Sequence, residues 1–292
     1  MRLLFCLLLF SLGFTQDVSS AENYIVIAVG DIVCKPGSTP KALTCQDAAT
    51  AALTQNLSPD AVLALGDLQY ENGEYEHFLD AYDKTWGQFK AITYPSPGNH
   101  EYGNGSAAEG YFRYFGNRAG ELGKGYYSFE LGNWHLISLN SNCDDVDCEA
   151  SSEQVDWLER DLAEHTDKCV LAFWHHPPIS SGRYSGESRI TPFLETLYAA
   201  DAELILTAHD HRYERFKRLD PLGKPNSKGL RQFVVGTGGK SLYKERSEIL
   251  ESEKTVLETF GVLRLELLPT SYRWAFVDLS GKVHDSGEED CH

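Results

Sequence analysis

The sequence predicts one α/β domain, and three observations support this fold class. Short apolar runs such as YIVIAVGD and AVLALGD end in polar clusters, as strands buried on both faces of a sheet do. The spacings from Asp31 to Asp67 and from His175 to His209 each suit one β-α-β unit of roughly 30 residues or more. After His211 the pattern changes to alternating strands, which indicates an antiparallel part.

Three helices are expected between the buried strands. The first covers residues 41–57, which are rich in alanine. The second covers residues 151–165 and begins with a capping box formed by Ser151 and Gln154. The third begins at Thr191-Pro192, because proline suits the first helical position. These helices supply the crossovers that a mostly parallel sheet needs.

The antiparallel strands are predicted from alternation and turn residues. The stretch GYYSFELGNWHLISLNS predicts a hairpin that turns near Gly132-Asn133. The later stretches RQFVVGTGG, GVLRLELL and SYRWAFVDL also read as strands, and the last places Tyr272, Trp274 and Phe276 on one face. The acidic residues 286–290 are expected to form a frayed tail. Since no linker interrupts the pattern, we expect a single domain.

Residues 1–21 have the pattern of a secretory signal peptide, and residues 22–292 are expected to form the mature domain. Arg2 precedes an apolar run over residues 3–14, and small residues ending at Ala21 suit cleavage there. The run is shorter than the roughly 20 residues that span a bilayer, although a retained anchor is the alternative. We therefore expect a secreted protein, periplasmic or extracellular, with no membrane association once the signal is removed.

Six cysteines follow the signal segment, and an even number in an oxidising compartment predicts disulfides rather than thiol chemistry. No pair has the CxxC spacing of a zinc site. Cys34 with Cys45 would close one short loop and Cys143 with Cys148 a shorter one, whereas the pairing of Cys169 and Cys291 stays open.

The formal net charge of −17 limits the partners of the protein. Nucleic-acid duplexes and anionic membrane surfaces require basic patches, so neither is expected as a partner. Nothing in the sequence indicates an obligate protein partner. An anionic substrate would need local positive charge.

The ends of five predicted strands carry side chains that bind metals. Ligands of open α/β sheets bind outside the carboxyl ends of the strands. One aspartate after a strand is more often a helix cap or a turn residue, but five successive ends of this composition are hard to explain that way. Oxygen and imidazole donors without thiolate favour iron, manganese or zinc, and their number favours two ions with a shared ligand. The candidates are Asp31, Asp67, Asn99, His175, His209 and His211.

These motifs resemble the calcineurin-like metallophosphoesterases. The resemblance rests on GD at 30–31, GDLQY at 66–70, GNHE at 98–101, the first histidine of WHHP, and AHDH at 208–211, all in the family's order. It implies a mixed β-sandwich flanked by helices (an αββα fold) with the site at the strand carboxyl ends. It also implies the ligand roles: Asp31 and His211 on the first metal, Asn99, His175 and His209 on the second, and Asp67 bridging both.

The sequence departs from the family pattern at two positions. Ala208 replaces the glycine of the usual GHxH block, which puts the local backbone fit in doubt. Val33 occupies the position at which many members have a histidine, and Tyr70 in GDLQY resembles the tyrosinate ligand of the purple acid phosphatase branch. Because a trivalent metal lowers the pKa of a phenol, the resemblance implies that Tyr70 binds Fe(III) beside Fe(II), Zn(II) or Mn(II). The alternative is an aromatic residue packed on the sheet edge.

The implied reaction is hydrolysis of a small phosphorylated substrate by a metal-activated hydroxide. His100 is the family's candidate for protonating the leaving group, or else it only orients a ligand. His176 is a weak candidate for contacting phosphate, and Arg183 for the pocket rim. We expect a secreted acid phosphomonoesterase. The alternatives are a phosphodiesterase or nucleotide pyrophosphatase on the same scaffold and a non-catalytic binding module.

Overall fold

Two mixed β-sheets are built from strands that are fully buried and from strands in which buried and more exposed residues alternate. Within residues 22–184, 186–244 and 247–292, the parts of the chain that this computed structural model describes, there are thirteen strands. They are β1 (Tyr24–Val29), β2 (Ala61–Leu65), β3 (Thr93–Ser96), β4 (Tyr127–Leu131), β5 (Trp134–Ser138), β6 (Cys169–Phe173), β7 (Leu204–Thr207), β8 (Tyr213–Leu219), β9 (Leu230–Val235), β10 (Ser252–Val256), β11 (Gly261–Leu267), β12 (Ser271–Asp278) and β13 (Val283–Asp290).

The helices of the described residues lie between these strands. They are α1 (Asp47–Asn56), α2 (Tyr75–His77), α3 (Asp83–Thr85), α4 (Glu109–Phe115), α5 (Glu153–Glu164) and α6 (Thr191–Ala199). A π-helical turn (Phe78–Tyr82) lies between α2 and α3, and 3₁₀ turns cover Trp86–Ile92, Gly103–Gly105, Gly116–Ala119 and Ser188–Ile190.

The two sheets form a sandwich with mixed strand directions. The first has the order β13-β12-β11-β1-β2-β3, and the second has the order β10-β8-β9-β7-β6-β5-β4. The predicted β-α-β units are confirmed, since β1 pairs parallel with β2 and β6 pairs parallel with β7. The predicted hairpin is confirmed by the antiparallel pairing of β4 with β5. One apolar core includes inner residues of both sheets, such as Leu63, Leu265, Phe173 and Phe233. The αββα prediction is therefore confirmed.

The first predicted helix is too long at its amino-terminal end. Residues 41–57 were expected to be helical, but α1 begins at Asp47. The disulfide between Cys34 and Cys45 and a bridge between Lys41 and Thr44 hold the preceding segment in an extended turn. The tertiary constraint thus overrides the helix propensity of these residues.

The predicted capping box of the second helix is wrong by one residue. Ser152 is the N-cap, and its hydroxyl accepts the N–H of Val155 at 3.2 Å. Gln154 has a different partner, because its side chain accepts the N–H of Asn140 at 2.7 Å and donates to the carbonyl of Asn140 at 3.0 Å. The helix itself and the start of α6 at Thr191, with proline in its first turn, are confirmed.

The prediction of a frayed acidic tail is also wrong. Residues 286–290 belong to β13, which pairs with β12 along its length. Arginines of the other sheet neutralise this strand: Arg215 Nε lies 2.8 Å from Asp285 Oδ2, and Arg218 lies 3.0 Å from Glu289 Oε2. The negative charges are therefore structural ion-pair partners rather than a solvated end.

Three disulfides connect the described cysteines. The two short loops close as expected, and Cys169 pairs with Cys291, which the sequence left open. The predicted signal peptide, residues 1–21, lies outside the described residues. In the part of the chain that is described, no helix has the length and apolar character needed to cross a membrane.

A buried histidine gives the fold a predicted pH dependence. His135 on β5 is 1% exposed, with Nδ1 2.6 Å from Glu130 Oε1 and Nε2 2.6 Å from Asp161 Oδ2. Burial lowers the pKa of His135, but the two carboxylates more than offset this, so the pKa lies above its ordinary value. The stabilisation is therefore complete below about pH 6.5 and is lost as the pH rises through the raised pKa.

We expect Asp161→Asn to destabilise the protein more at pH 6 than at pH 9, because the variant removes one of the two carboxylates that hold the imidazolium. Urea unfolding at both pH values measures the difference. Asp156→Asn, an exposed position on the same helix, is the control and should show no such trend. A destabilisation that is equal at both pH values would contradict the prediction.

Candidate metal centre

The carboxyl ends of β1, β2, β6 and β7 meet at one edge of the sandwich. Sharp backbone turns follow three of these strands, and Asp31, Asp67 and His209 have positive φ angles of 58°, 51° and 67°. Residues other than glycine rarely adopt this conformation, and it occurs preferentially at functional sites. The turns are tied together, since the N–H of Asp31 donates to the carbonyl of Gly66 at 3.1 Å. These strand ends therefore direct their side chains to one place.

The first group of side chains contains a phenol in contact with two carboxylates. The hydroxyl of Tyr70 lies 2.8 Å from Asp31 Oδ1, 3.0 Å from Asp67 Oδ2 and 3.2 Å from His211 Nε2. His211 Nε2 itself lies 3.1 Å from Asp31 Oδ1. Tyr70 is 1% exposed, so it belongs to this cluster and does not pack on a sheet edge.

The second group lies on the other side of Asp67. His175 Nε2 is 3.3 Å from Asp67 Oδ2, and His209 Nδ1 is 3.1 Å from His175 Nε2. The N–H of His209 donates to Asp31 Oδ2 at 2.8 Å, which connects the two groups. One carboxylate oxygen, Asp67 Oδ2, thus faces Tyr70 and His175 at once, as a ligand shared by two ions would.

The histidine and asparagine of the GNHE block lie at the open side. The N–H of His100 donates to Asp67 Oδ1 at 2.8 Å, and its Nε2 lies 3.8 Å from Asp67 Oδ2. The ring of His100 lies 4.2 Å from that of Tyr70. Asn99 is exposed and lines a small pocket together with His176. The structure therefore brings His100 into the cluster and places Asn99 at its solvent-facing rim.

The two predicted residues for substrate contact have different surroundings. His176 Nδ1 lies 2.9 Å from Ser141 Oγ, and its ring lies 4.6 Å from that of His209. Arg183 is exposed, and its guanidinium carbon lies 5.5 Å from the ring centre of Tyr243. His176 is thus adjacent to the cluster, whereas Arg183 belongs to the outer rim.

One residue that connects two of the strand ends was not among the predicted site residues. Glu101 is fully buried, and its Oε2 accepts the N–H groups of Asp67 at 2.9 Å and Gly98 at 2.8 Å. Its Oε1 accepts those of Leu68 at 2.9 Å and Gln69 at 3.2 Å. The signal was available, because Glu101 is the last letter of the GNHE block.

Three further residues of the site come from loops and were not predicted. The ring of Tyr243 stacks on His211 at 4.1 Å, and the ring of Tyr184 lies 4.2 Å from that of His209. The ammonium of Lys240 lies 4.2 Å from the ring centre of Tyr70. No periodicity or motif marks these positions, so only the folded chain identifies them.

The departure from glycine at Ala208 is accommodated by the opposite strand end. Ala208 is fully buried, and its φ angle is not among the positive ones. A Cβ atom added to Gly30 would lie 2.4 Å from the Cβ of Ala208. Gly30 thus leaves the space that the methyl group of Ala208 fills.

The electrostatics of the cluster fit a bound cation. Burial, with the charges of Asp31 and Asp67, raises the pKa of the Tyr70 phenol well above its ordinary value. Burial also raises the pKa of Asp67, but the adjacent His175 more than offsets this, so the pKa lies well below normal. The two buried carboxylates, Asp31 and Asp67, repel one another unless positive charge lies between them, whereas the protonated phenol of Tyr70 donates a hydrogen bond. The donor set of carboxylate, phenol and imidazole therefore suits metal ions.

The histidines differ in their proton affinity. Burial lowers the pKa of His175, but the charges of Asp67 and Asp31 outweigh it and raise this pKa to about 9. Burial and the neighbouring His175 lower the pKa of His209 to about 4. A metal ion binds neutral imidazole, so His209 offers its nitrogen readily whereas His175 must release a proton.

Comparison with known proteins identifies the family of the chain. Residues 24–213 match the calcineurin-like phosphoesterases, and the chain belongs to this family. It is similar to purple acid phosphatase 15 of Arabidopsis thaliana, with 28% identity over 272 residues that cover 77% of this chain and 47% of the relative. It is also similar to a 3',5'-cyclic-nucleotide phosphodiesterase of Nostoc sp., with 28% identity over 185 residues that cover 58% of this chain and 62% of that protein.

A solved structure shows the same fold. The purple acid phosphatase PPD1 from yellow lupin (Lupinus luteus) seeds superposes with a TM-score of 0.73 and 21% identity, covering 92% of this chain and 54% of that one. The chain thus spans about half the length of these purple acid phosphatases.

Proposed function

We propose that the protein is a secreted, metal-dependent acid phosphomonoesterase with a binuclear Fe(III)–M(II) centre. The observation that carries the proposal is the position of the Tyr70 hydroxyl, within 3.2 Å of Asp31, Asp67 and His211. Without a cation this phenol keeps its proton, since its pKa is raised. Fe(III) lowers the pKa of a phenol enough for tyrosinate binding.

The proposed ligand roles follow the two groups of side chains. Fe(III) would be held by Asp31, Tyr70 and His211. The divalent ion, Fe(II), Zn(II) or Mn(II), would be held by Asn99, His175 and His209, and Asp67 would be shared. When bound, such a pair orients phosphoryl oxygens and lowers the pKa of a water molecule.

Neighbouring oxygen atoms fix the orientation of two candidate ligands. His175 Nδ1 lies 2.8 Å from the carbonyl oxygen of Leu65, which leaves Nε2 directed at Asp67. His211 Nδ1 lies 2.9 Å from Ser241 Oγ, which leaves Nε2 directed at Asp31. Each ring therefore presents one nitrogen to the centre, as ligands with an outer hydrogen bond do.

His100 is the proposed proton donor to the leaving group. Its side chain is 30% exposed, and its Nε2 lies at the open side of the centre, 3.8 Å from Asp67 Oδ2. The carbonyl oxygen of Glu71, 2.5 Å from Nδ1, fixes the orientation of the ring. A proton on Nε2 can thus reach the alcohol oxygen of an ester whose phosphoryl group lies over Asp67.

Secretion is supported by the three disulfides and by the signal pattern of the sequence. Disulfides form and persist in oxidising compartments. The proposed partner is a small phosphorylated substrate, with no nucleic-acid duplex, membrane or obligate protein partner.

The visible absorption spectrum tests the proposal. The protein expressed with iron is expected to show a tyrosinate-to-Fe(III) charge-transfer band, and Tyr70→Phe is expected to lose this band because the phenolate donor is gone. Tyr111→Phe is a matched control, since Tyr111 is equally buried and donates only to the carbonyl of Pro95 at 3.0 Å. A colourless protein that contains iron and hydrolyses phosphate esters would remove Tyr70 from the ligand set.

A phosphodiesterase is the second candidate function, favoured by the similarity to the Nostoc phosphodiesterase. The ratio of rates on a phosphate monoester and on a diester of the same alcohol separates the two activities. Colourless, active protein that holds only zinc or manganese would favour the diesterase. Hydrolysis of either ester would rule out a non-catalytic binding module.

A further inference from the structure

A glycine-rich loop, residues 236–241, leads from the end of β9 to the candidate metal centre. Its glycines let the backbone lie directly against the strand ends. A Cβ atom on Gly236 would lie 2.6 Å from Asp31 Oδ2, and one on Gly238 would lie 2.5 Å from the carbonyl oxygen of Gly30. Contacts this short leave no room for a side chain at either position. The loop therefore follows the edge of the centre at close range.

Backbone hydrogen bonds fix the end of this loop at Lys240. The N–H of Lys240 donates to the carbonyl of Asp31 at 3.0 Å, and the carbonyl of Lys240 accepts the N–H of Cys45 at 3.1 Å. Cys45 itself belongs to a disulfide. The next residue in the loop, Ser241, has its Oγ 2.9 Å from His211 Nδ1. The position of Lys240 is thus set by the same part of the chain that carries two of the candidate ligands.

The side chain of Lys240 lies over the face of a third candidate ligand. Its ammonium is 4.2 Å from the ring centre of Tyr70, which is within the range of a cation–π contact. The ammonium also pairs with the carboxylate of Glu71, and the two side chains are 20% and 46% exposed. Water therefore screens the carboxylate more than the ammonium. Lys240 thus places a fixed positive charge against the ring of a buried tyrosine.

This charge acts more strongly on the ring of Tyr70 than on the proposed iron position. The ammonium lies over the ring, whereas the other candidate ligands of the same metal, Asp31 and His211, lie beyond the phenol hydroxyl, at 2.8 Å and 3.2 Å from it. A positive charge stabilises the electrons that are nearest to it. The electrons of the Tyr70 phenolate are therefore held more tightly than they would be without Lys240.

We propose that Lys240 tunes the metal centre through Tyr70: its ammonium, held over the ring by the glycine-rich loop, weakens the electron donation of the phenolate to Fe(III). The inference rests on the proposed function, in which Tyr70 is a ligand of Fe(III). Weaker donation by the phenolate leaves the metal a stronger acceptor for phosphoryl oxygens and for a water molecule. Lys240 acts in this way without touching the substrate.

The visible spectrum of the iron-loaded protein, recorded without substrate, tests the inference. The charge-transfer band arises when an electron passes from the phenolate to Fe(III), so its energy reports how tightly the ring holds that electron. Lys240→Met removes the charge and is expected to move the band to longer wavelength by about 10 nm or more. Lys240→Arg keeps the charge and should leave the band close to its original position. A residue that only contacted phosphate would not move the band of the substrate-free protein.

Glu71→Gln tests the same charge with the opposite sign. The variant removes the carboxylate that compensates the ammonium of Lys240, so the band is expected to move to shorter wavelength. The backbone carbonyl of Glu71, which lies next to His100 Nδ1, is kept in this variant. If Lys240→Met fails to bind iron, the direction of the shift in Glu71→Gln decides the question.

Lys90→Met is the matched control. The ammonium of Lys90 lies 3.9 Å from the ring centre of Tyr114, whose hydroxyl donates to Asp83 Oδ1 at 2.6 Å and takes no part in the centre. This variant should leave the band unmoved. A band that disappears in Tyr70→Phe but keeps its position in Lys240→Met and Glu71→Gln would overturn the inference and leave the proposed function intact. An iron-loaded parent protein without the band would overturn both.

Discussion

Asp67→Asn is expected to lower phosphate-ester hydrolysis by about a thousandfold and to leave the protein with fewer than two bound metal ions. Asp67 Oδ2 lies 3.0 Å from the Tyr70 hydroxyl and 3.3 Å from His175 Nε2, so one oxygen serves both groups of side chains. The amide has the same shape but no charge to hold two cations together. Loss of several kcal/mol of charge stabilisation corresponds to about three factors of ten in rate.

The metal content and the steady-state hydrolysis rate of Asp67→Asn together test this prediction. Asp80→Asn is a control of the same chemistry, since Asp80 is 63% exposed and its one ion-pair partner within the described chain is Lys84 on the surface. The circular dichroism of both variants should match that of the parent protein. If Asp67→Asn keeps two metal ions and more than a tenth of the activity, Asp67 is not the shared ligand.

Glu101→Gln is expected to destabilise the protein by about 3 kcal/mol or more at pH 8. The carboxylate accepts four N–H groups, two on each oxygen. Glutamine offers one acceptor oxygen, and its amide nitrogen would face two N–H donors from which it cannot accept. Each buried N–H group left without an acceptor costs about 1–3 kcal/mol. Burial, and to a smaller extent the charge of Asp67, raises the pKa of Glu101 to about 7. At pH 8 the side chain is therefore mostly ionised, and the substitution removes a carboxylate.

Urea unfolding at pH 8, with and without added metal, measures the effect of Glu101→Gln. Glu159→Gln, exposed on α5, is the control and should change the free energy of unfolding by less than about 0.5 kcal/mol. We also expect weaker metal binding in Glu101→Gln, because the N–H of Asp67 and the turn at Gly98 lose a common partner. An unchanged free energy of unfolding would mean that the four N–H groups find other acceptors.

The strand ends of the site could be predicted because two local signals coincide there. A buried strand ends in a polar or metal-binding side chain, which at one strand would suit a helix cap or a turn residue, but five successive strands end in this way. The structure accordingly brings Asp31, Asp67, His175, His209 and His211 together, with Tyr70 between the carboxylates. Their roles as ligands stay predictions that the experiments above test.

The remaining features depend on contacts between distant parts of the chain. The disulfide between Cys34 and Cys45 holds the residues before Asp47 outside α1. Arginines of β8 pair with carboxylates of the acidic end, which forms β13. Tyr184 and Tyr243 reach the site from loops without a repeating pattern. Propensity and periodicity describe neighbours in sequence, so neither reveals such contacts.

The strand order of the first sheet has a consequence for how the protein acquires its structure. β1 lies in the interior of that sheet, between β2 and β11, with Tyr24 opposite Leu267. A ribosome therefore releases β1 long before its second neighbour, β11, has been synthesised. Such long-range pairing slows folding and leaves an apolar strand edge open in the meantime. We expect the sandwich to close only after synthesis of β11, so that the earlier part of the chain stays without its complete first sheet until then.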